Sequence, residues 1–284
     1  MSRRRAVGLL ASTACLALSL TAARAFDESK YPDWAGQWRR PQGISNLWDP
    51  SKPWGKEEAP LTPEYQAIYE ESLKDQLEGG QGNDSTVTCL PDGMPRAMNV
   101  IFPMEIVIQP KTTYIMIEYF SMLRRIFTDG RKFPDYVEPS FIGYSIGTWV
   151  DTDGDGRYDE LQVETRHMKN PRNFDASGLP LHEDAETVVK ERIYQDKTNP
   201  DILHDEVTTI DHALTRPWTV TKHYHRVKEP VFFEQVCSEN NEFVKIAGEL
   251  YMRAPGDGRL KPLKKGQKPP DLSLFNAASG AANK

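Results

Sequence analysis

Cysteine is scarce in this chain: three residues in 284, one of which, Cys15, lies in the first 25. The other two, Cys89 in TVTCLPDG and Cys237 in EQVCSENN, lack the second CxxC pair that a structural zinc site requires. Neither a GxxxxGK[ST] phosphate loop nor a GxGxxG dinucleotide fingerprint occurs, which removes the usual signatures of nucleotide chemistry. GYSIG, residues 143–147, has the letters of a nucleophile elbow, but it opens a strand and not a strand-to-helix turn. An excess of basic residues is missing too. The chain holds 35 Lys and Arg against 41 Asp and Glu, so neither nucleic acid nor an anionic membrane finds counter-charge on it.

The one sustained apolar run stands at the start. MSRRRAVGLLASTACLALSLTAARA has a basic head (Arg3, Arg4, Arg5), an apolar core and Ala23-Arg24-Ala25 before Phe26, the pattern of a cleavable export signal read by the Sec or twin-arginine route. Its core is short and rich in Ala, Ser and Thr, which argues against a transmembrane anchor. The expected location is periplasmic or secreted, with no membrane insertion. Loss of its four arginines makes the mature chain still more acidic. Two cysteines then remain in an oxidising compartment, so Cys89 and Cys237 are expected to pair.

Residues 26–103 read as an N-terminal wrap, rich in Trp, Pro and Gly over 26–60, and one helix over about 63–77. Thr62 caps that helix and Pro63 opens it. From Met104 the pattern turns to period two: MEIVIQP, TTYIMIEYF, LRRIFTDGR, YSIGTWV, ELQVETRH, ETVVKERIYQ, ILHDEVTTI, WTVTKHYHRV and VFFEQVC. Eight or nine strands joined by short turns predict an antiparallel meander over 104–251, closed into a barrel because closure removes the open edges. Residues 252–284, rich in Lys, Pro and Gly, are expected to be disordered.

The ordered phrases DWAGQW, PLTPEYQAIY, CLPDGMPRAM, RRIFTDGR, IGYSIGTW with LQVET, LHEDAETVVKERI, TIDHALTRPWTV and EQVCSENN span about 33–243. Together they resemble a group of secreted bacterial proteins. The resemblance implies a lipocalin-like β-barrel of about eight strands with an N-terminal wrap, and supplies no reaction. It also implies a tight GDT-type turn where this chain carries the longer DTDGDGRYDE.

That insertion sets Asp151, Asp153, Asp155 and Asp159 at positions 1, 3, 5 and 9 of a calcium-loop spacing, with Gly156 at the sharp turn and the Arg157 carbonyl at position 7. Five oxygen ligands suit Ca²⁺ in a structural role, yet strands flank the loop and Gln162 stands where an EF-hand needs a bidentate acid. The other reading is a solvated Asp-Gly turn.

Chemistry is therefore sought elsewhere. His223 and His225 share one strand face with Thr219 and Thr221, as a metal-binding H-x-H requires, and become ligands or acid–base groups if that face points inward. His182 in PLHEDAE sits near the expected barrel mouth, while Glu118, Arg125 and Arg131 are candidate lumen charges. Two functions follow: a barrel that binds a small apolar or aromatic molecule, or an enzyme (hydrolase, lyase or isomerase) working in the barrel pocket through His182 or the His223/His225 pair. The Trp-rich wrap offers a weaker third reading as a carbohydrate-stacking surface; packing against the barrel is the commoner fate of Trp34, Trp38, Trp48 and Trp54.

Overall fold

The computed structural model describes residues 26–273 except 42, 44, 45, 55, 57, 100, 101, 232, 233, 255, 257 and 265, and of Asn240 the backbone alone. The expected leader, 1–25, and the end of the expected tail, 274–284, lie outside the described residues.

Nine strands close into one barrel: β1 (Gln37–Arg39), β2 (Met104–Gln109), β3 (Thr112–Ile117), β4 (Met122–Phe127), β5 (Tyr144–Val150), β6 (Glu160–Arg166), β7 (Val188–Gln195), β8 (Ile202–Ile210) and β9 (Trp218–Arg226), in chain order around the ring. The expected eight-stranded antiparallel meander is corrected in two linked ways. The ninth strand is β1, taken from the Trp-rich wrap, which seals the seam by pairing with β2 (Gln37↔Glu105) and with β9 (Trp38↔Arg226). VFFEQVC forms no strand in its described residues. An odd ring cannot alternate direction all the way round, so one neighbouring pair must be parallel. That pair is β4 and β5, in register at Ile126↔Ser145, and residues 128–143 supply the crossover that a parallel pair needs.

Side chains alternate across the barrel wall. In β9, Trp218, Val220, Lys222 and Tyr224 are buried while Thr219, His223 and His225 are exposed. In β4, Met122, Arg124 and Ile126 point in and Arg125 points out. The interior is filled by side chains such as Ile115, Ile126, Leu161, Leu203 and Val207, all essentially without exposure.

The wrap packs on this barrel through Trp34, Trp38 and Trp48, each fully buried, whereas Trp54 is half exposed. Helix α1 (Pro63–Leu77) starts as expected: the Thr62 hydroxyl accepts the Tyr65 N–H and Pro63 takes the first position, where no N–H is needed. Its inner face is polar as well as aromatic. Tyr69 bonds Ser177 Oγ at 2.9 Å, Ser72 bonds the Ser177 carbonyl, and Gln76 bonds that of Ala176. Gly178 permits this close approach, since a Cβ there would lie 2.2 Å from Ser72 Oγ at a φ of +79°.

Cys89 and Cys237 form the expected disulfide, tying the wrap to the short helix α2 (Cys237–Asn240) beyond the last barrel strand. The chain after the barrel is not irregular throughout. Strands β10 (Phe243–Ile246), β11 (Glu249–Arg253) and β12 (Leu260–Pro262) make a separate three-stranded sheet, so the segment expected to be disordered from 252 carries strand as far as Pro262. Ala247 and Gly248, both at positive φ, form the β10–β11 turn. Among the described residues no helix is long and apolar enough to cross a membrane.

Candidate functional site

The barrel interior, where a ligand pocket was expected, holds a charged core. Arg124 bonds both oxygens of Glu191 and also Ser145 and Thr165, with neither charged side chain exposed. Lys222 reaches the Trp48 carbonyl and Asn99 Oδ1, its ammonium 3.8 Å from the Trp48 ring centre, and Tyr224 donates to the Met98 carbonyl at 2.6 Å. Asp205 lies opposite Lys222 in the ladder, yet neither of its oxygens has a hydrogen-bond partner among the described residues. Burial first, and then the neighbouring Glu191, hold its carboxyl well above the usual range. Each of these groups belongs to the buried core.

The residues expected to charge the lumen lie elsewhere. Arg125 is on the outer wall, one position from the arginine that points in. Arg131 is outside as well, paired with Asp129 and stacked on Phe127. Glu118 sits at the turn after β3, where Gln37 Nε2 donates to it at 3.3 Å. His223 and His225 face outward. The neighbour that His223 meets is His204 across the ladder, Nδ1 to Nδ1 at 2.7 Å.

In the acidic hairpin, carboxylate oxygens of Asp151, Asp153 and Asp155 lie within 4.8 Å of one another. Asp159 is turned away from them and accepts from the Thr152 amide at 2.8 Å and from its hydroxyl. Asp151 takes the N–H groups of Gly154 and Gly156, and Asp155 takes that of Arg157. Three of the five expected ligand residues thus converge. The base of the hairpin is anchored: Tyr158 N–H bonds the Lys30 carbonyl, and Tyr31 packs on Trp149 and Tyr158.

The strongest convergence of ligand-type atoms is at the barrel rim. His182 precedes β7, and His212 lies in the turn between β8 and β9. Asp211 holds the two loops together: its Oδ1 accepts the N–H groups of His182 and Ala213 at 2.9 Å each, and its Oδ2 accepts the Thr187 hydroxyl. Arg172, itself buried, fixes Thr187 in turn at 2.7 Å. On this frame Asp184 Oδ2 lies 2.9 Å from His182 Nδ1 and 2.5 Å from His212 Nδ1. The rings of His182 and His212 are perpendicular, and Tyr65 of α1 packs on His182 at 5.4 Å.

The electrostatics follow from these contacts. The Asp184 carboxylate bonded to His212 holds that imidazole above its ordinary value. Burial pushes Asp184 up, but the bonds from His212 and the Glu186 N–H, with the charge of the imidazoles, bring it below the carboxylate range. His182 Nδ1 accepts the Asp184 N–H at 3.0 Å, a bond that must open before this lone pair can reach an ion. Three basic atoms, His182 Nδ1, Asp184 Oδ2 and His212 Nδ1, thus lie within reach of one metal ion. His182 and its neighbour Asp184 were visible in the sequence, but His212 was not singled out, because it stands 30 residues away and only the rim turns bring it near.

Set against known protein families and characterised proteins, the chain matches no family model and no curated protein. Geometry is therefore the basis for a functional reading.

Proposed function

We propose that the chain is an exported β-barrel protein that holds a divalent ion of the zinc class at His182, Asp184 and His212 and uses it to activate water. The observation that carries this is the convergence of two imidazole nitrogens and one carboxylate oxygen within 4.8 Å, on loops already braced by Asp211, Thr187 and Arg172. Two histidines and a carboxylate suit zinc and its neighbours better than calcium. Around zinc at about 2.0–2.1 Å, tetrahedral ligand atoms stand roughly 3.3 Å apart, so the present 2.5–2.9 Å contacts open with small side-chain rotations. Three protein ligands leave a fourth position for water, the arrangement of catalytic and not structural zinc. This is the enzyme reading of His182, moved from the barrel pocket to the rim. Export rests on the leader-like residues 1–25 and fits a disulfide-bonded chain, as does the likeness to secreted bacterial barrels.

The test is zinc stoichiometry. After chelation and dialysis against Zn²⁺, elemental analysis should give rim-bound zinc that is lost on His182→Ala or His212→Ala while the far-ultraviolet spectrum stays unchanged. Retention of that zinc in both variants ends the proposal.

A second reading keeps a small aromatic ligand but relocates it. A groove of about 600 Å³ between α1 and the wrap is lined by Trp54, Leu73, Leu77 and Ala176, with Trp54 52 % and Leu77 89 % exposed. Its size falls in the range of small-molecule sites. Quenching of Trp54 fluorescence by an indole or naphthalene probe, absent in Trp54→Ala, is the expected sign. The calcium reading of the acidic hairpin stays a structural one, with Asp151, Asp153 and Asp155 as its ligands.

A further inference from the structure

The outer wall of the barrel carries a second pair of imidazoles that the rim site does not use. His204 on β8 and His223 on β9 are direct ladder partners, and both project from the same outer face. Their Nδ1 atoms are 2.7 Å apart and their rings meet at 88°. Two nitrogens at that distance need either a hydrogen bond or a metal ion between them.

The environment decides which nitrogen of His204 is free. Its Nε2 lies 3.1 Å from Asp196 Oδ2. Asp196 is locked, because its other oxygen accepts the Thr198 hydroxyl at 2.6 Å and the N–H groups of Thr198 and Asn199 at 2.8 and 2.9 Å. Those bonds, with that from His204, keep the carboxylate ionised. The proton of His204 therefore resides on Nε2, and Nδ1 presents a lone pair toward His223. Tyr194 packs against the His204 ring at 5.1 Å and limits its rotation.

Beside His223 lies a groove of about 700 Å³ lined by Asp49, Ser51, Thr219 and Thr221, with room for the water that would complete a coordination shell.

We propose that His204 and His223 form a transition-metal site, with Asp196 as the positioning residue behind His204 Nε2. A carboxylate that takes the outer N–H of a ligating histidine is the recurrent support of such sites, fixing tautomer and ring orientation. Imidazole ligands select the later first-row ions, and the affinity order places Cu²⁺ first. The partner of His223 is the cross-strand histidine, not His225 two residues on.

The experiment uses the full-length mature chain, untagged, and the metal alone. In a His182→Ala/His212→Ala background, which removes the rim ligands, Cu²⁺ titration should still show one saturable equivalent. Its paramagnetic resonance spectrum should carry the hyperfine pattern of two imidazole nitrogens. His223→Gln and His204→Ala should each abolish that equivalent, and Asp196→Asn should weaken it roughly 10- to 100-fold. His225→Ala should leave it in place. The proposal is overturned if the rim-less protein takes up no stoichiometric Cu²⁺, if binding survives both His223→Gln and His204→Ala, or if His225→Ala alone removes it. His223 is exposed, so its variant tests the idea even where His204→Ala fails to fold.

Discussion

Arg124 and Glu191 meet inside the barrel in a two-pronged ion pair, with Ser145 and Thr165 taking the remaining guanidinium bonds and no solvent exposure on either side chain. The pair links β4 to β7 through the core. Arg124→Ala would leave a buried carboxylate without a partner, a loss of about 3–5 kcal/mol. Arg124→Met combined with Glu191→Leu should recover most of it, because both charges then leave together. Arg125→Ala, on the outer wall, should stay within about 0.5 kcal/mol of the parent. Urea denaturation of the four proteins measures this, and equal losses at 124 and 125 would show the register of β4 to be wrong.

That adjacent pair shows how far the sequence could be read. Met122 and Ile126 mark the inward parity of β4, and Arg124 stands between them; Trp218, Val220 and Tyr224 do the same for β9 and carry Lys222 in with them. The period-two rule was sufficient to turn His223 and His225 outward. What it lacked was a reason to accept a charge among apolar neighbours. That reason lies in residues far along the chain: Glu191 for Arg124, and Trp48 with Asn99 for Lys222. The strand β1 was not legible for a different cause. Gln37–Arg39 is too short for a periodic signal and becomes a strand only by pairing with β2 and β9. The His182–Asp184–His212 cluster likewise depends on which turns share a barrel end.

Asp92 gives a pH test. Burial pushes its carboxyl up to about 7, against the pull of Arg96, whose Nε lies 3.0 Å away but off the hydrogen-bonding direction and whose guanidinium also serves Asp84 and Asn173. The folded protein therefore holds a proton that the unfolded chain releases near pH 4. Its contribution to stability is present at low pH and falls as pH rises from about 4 to about 7, by roughly 4 kcal/mol in full. Asp92→Asn should remove that part of the slope. Denaturation midpoints at pH 5 and pH 8 decide it: parallel changes in parent and variant would mean that Asp92 titrates as an ordinary acid.

The acidic hairpin separates structure from function. If Asp151, Asp153 and Asp155 hold calcium, free Ca²⁺ at a hundred times its Kd should add about 2.7 kcal/mol of stability. Asp153→Ala should erase that increment, leaving the Thr152–Asp159 bonds to close the turn. Replacing residues 151–159 by Asn-Gly, which supplies the positive φ angles of a tight hairpin, should leave zinc binding at the rim unaffected. A melting temperature indifferent to Ca²⁺ would establish the hairpin as a self-satisfied Asp-Gly turn.

The rim site makes a prediction in which metal and proton compete. His212 binds its proton more tightly than a free imidazole because Asp184 Oδ2 lies 2.5 Å from its Nδ1, and that nitrogen must lose the proton before it can ligate. Without metal, the His212–Asp184 contact supports the fold below the ordinary histidine value, and that support fades as pH climbs through the raised one. With metal the order reverses: zinc binds well at pH 8 and weakens steeply toward pH 5.5, as protons reclaim His212. Asp184→Asn should lower affinity at every pH, since a ligand is lost. It should also move the midpoint of the pH profile downward, because the carboxylate no longer holds the proton on His212. A structural role for Asp184 alone would reduce affinity or folding without displacing that midpoint. Zinc affinity measured by competition with a chromophoric chelator across pH 5–8 separates the two, and an affinity that Asp184→Asn leaves unchanged at pH 8 would remove Asp184 from the metal site.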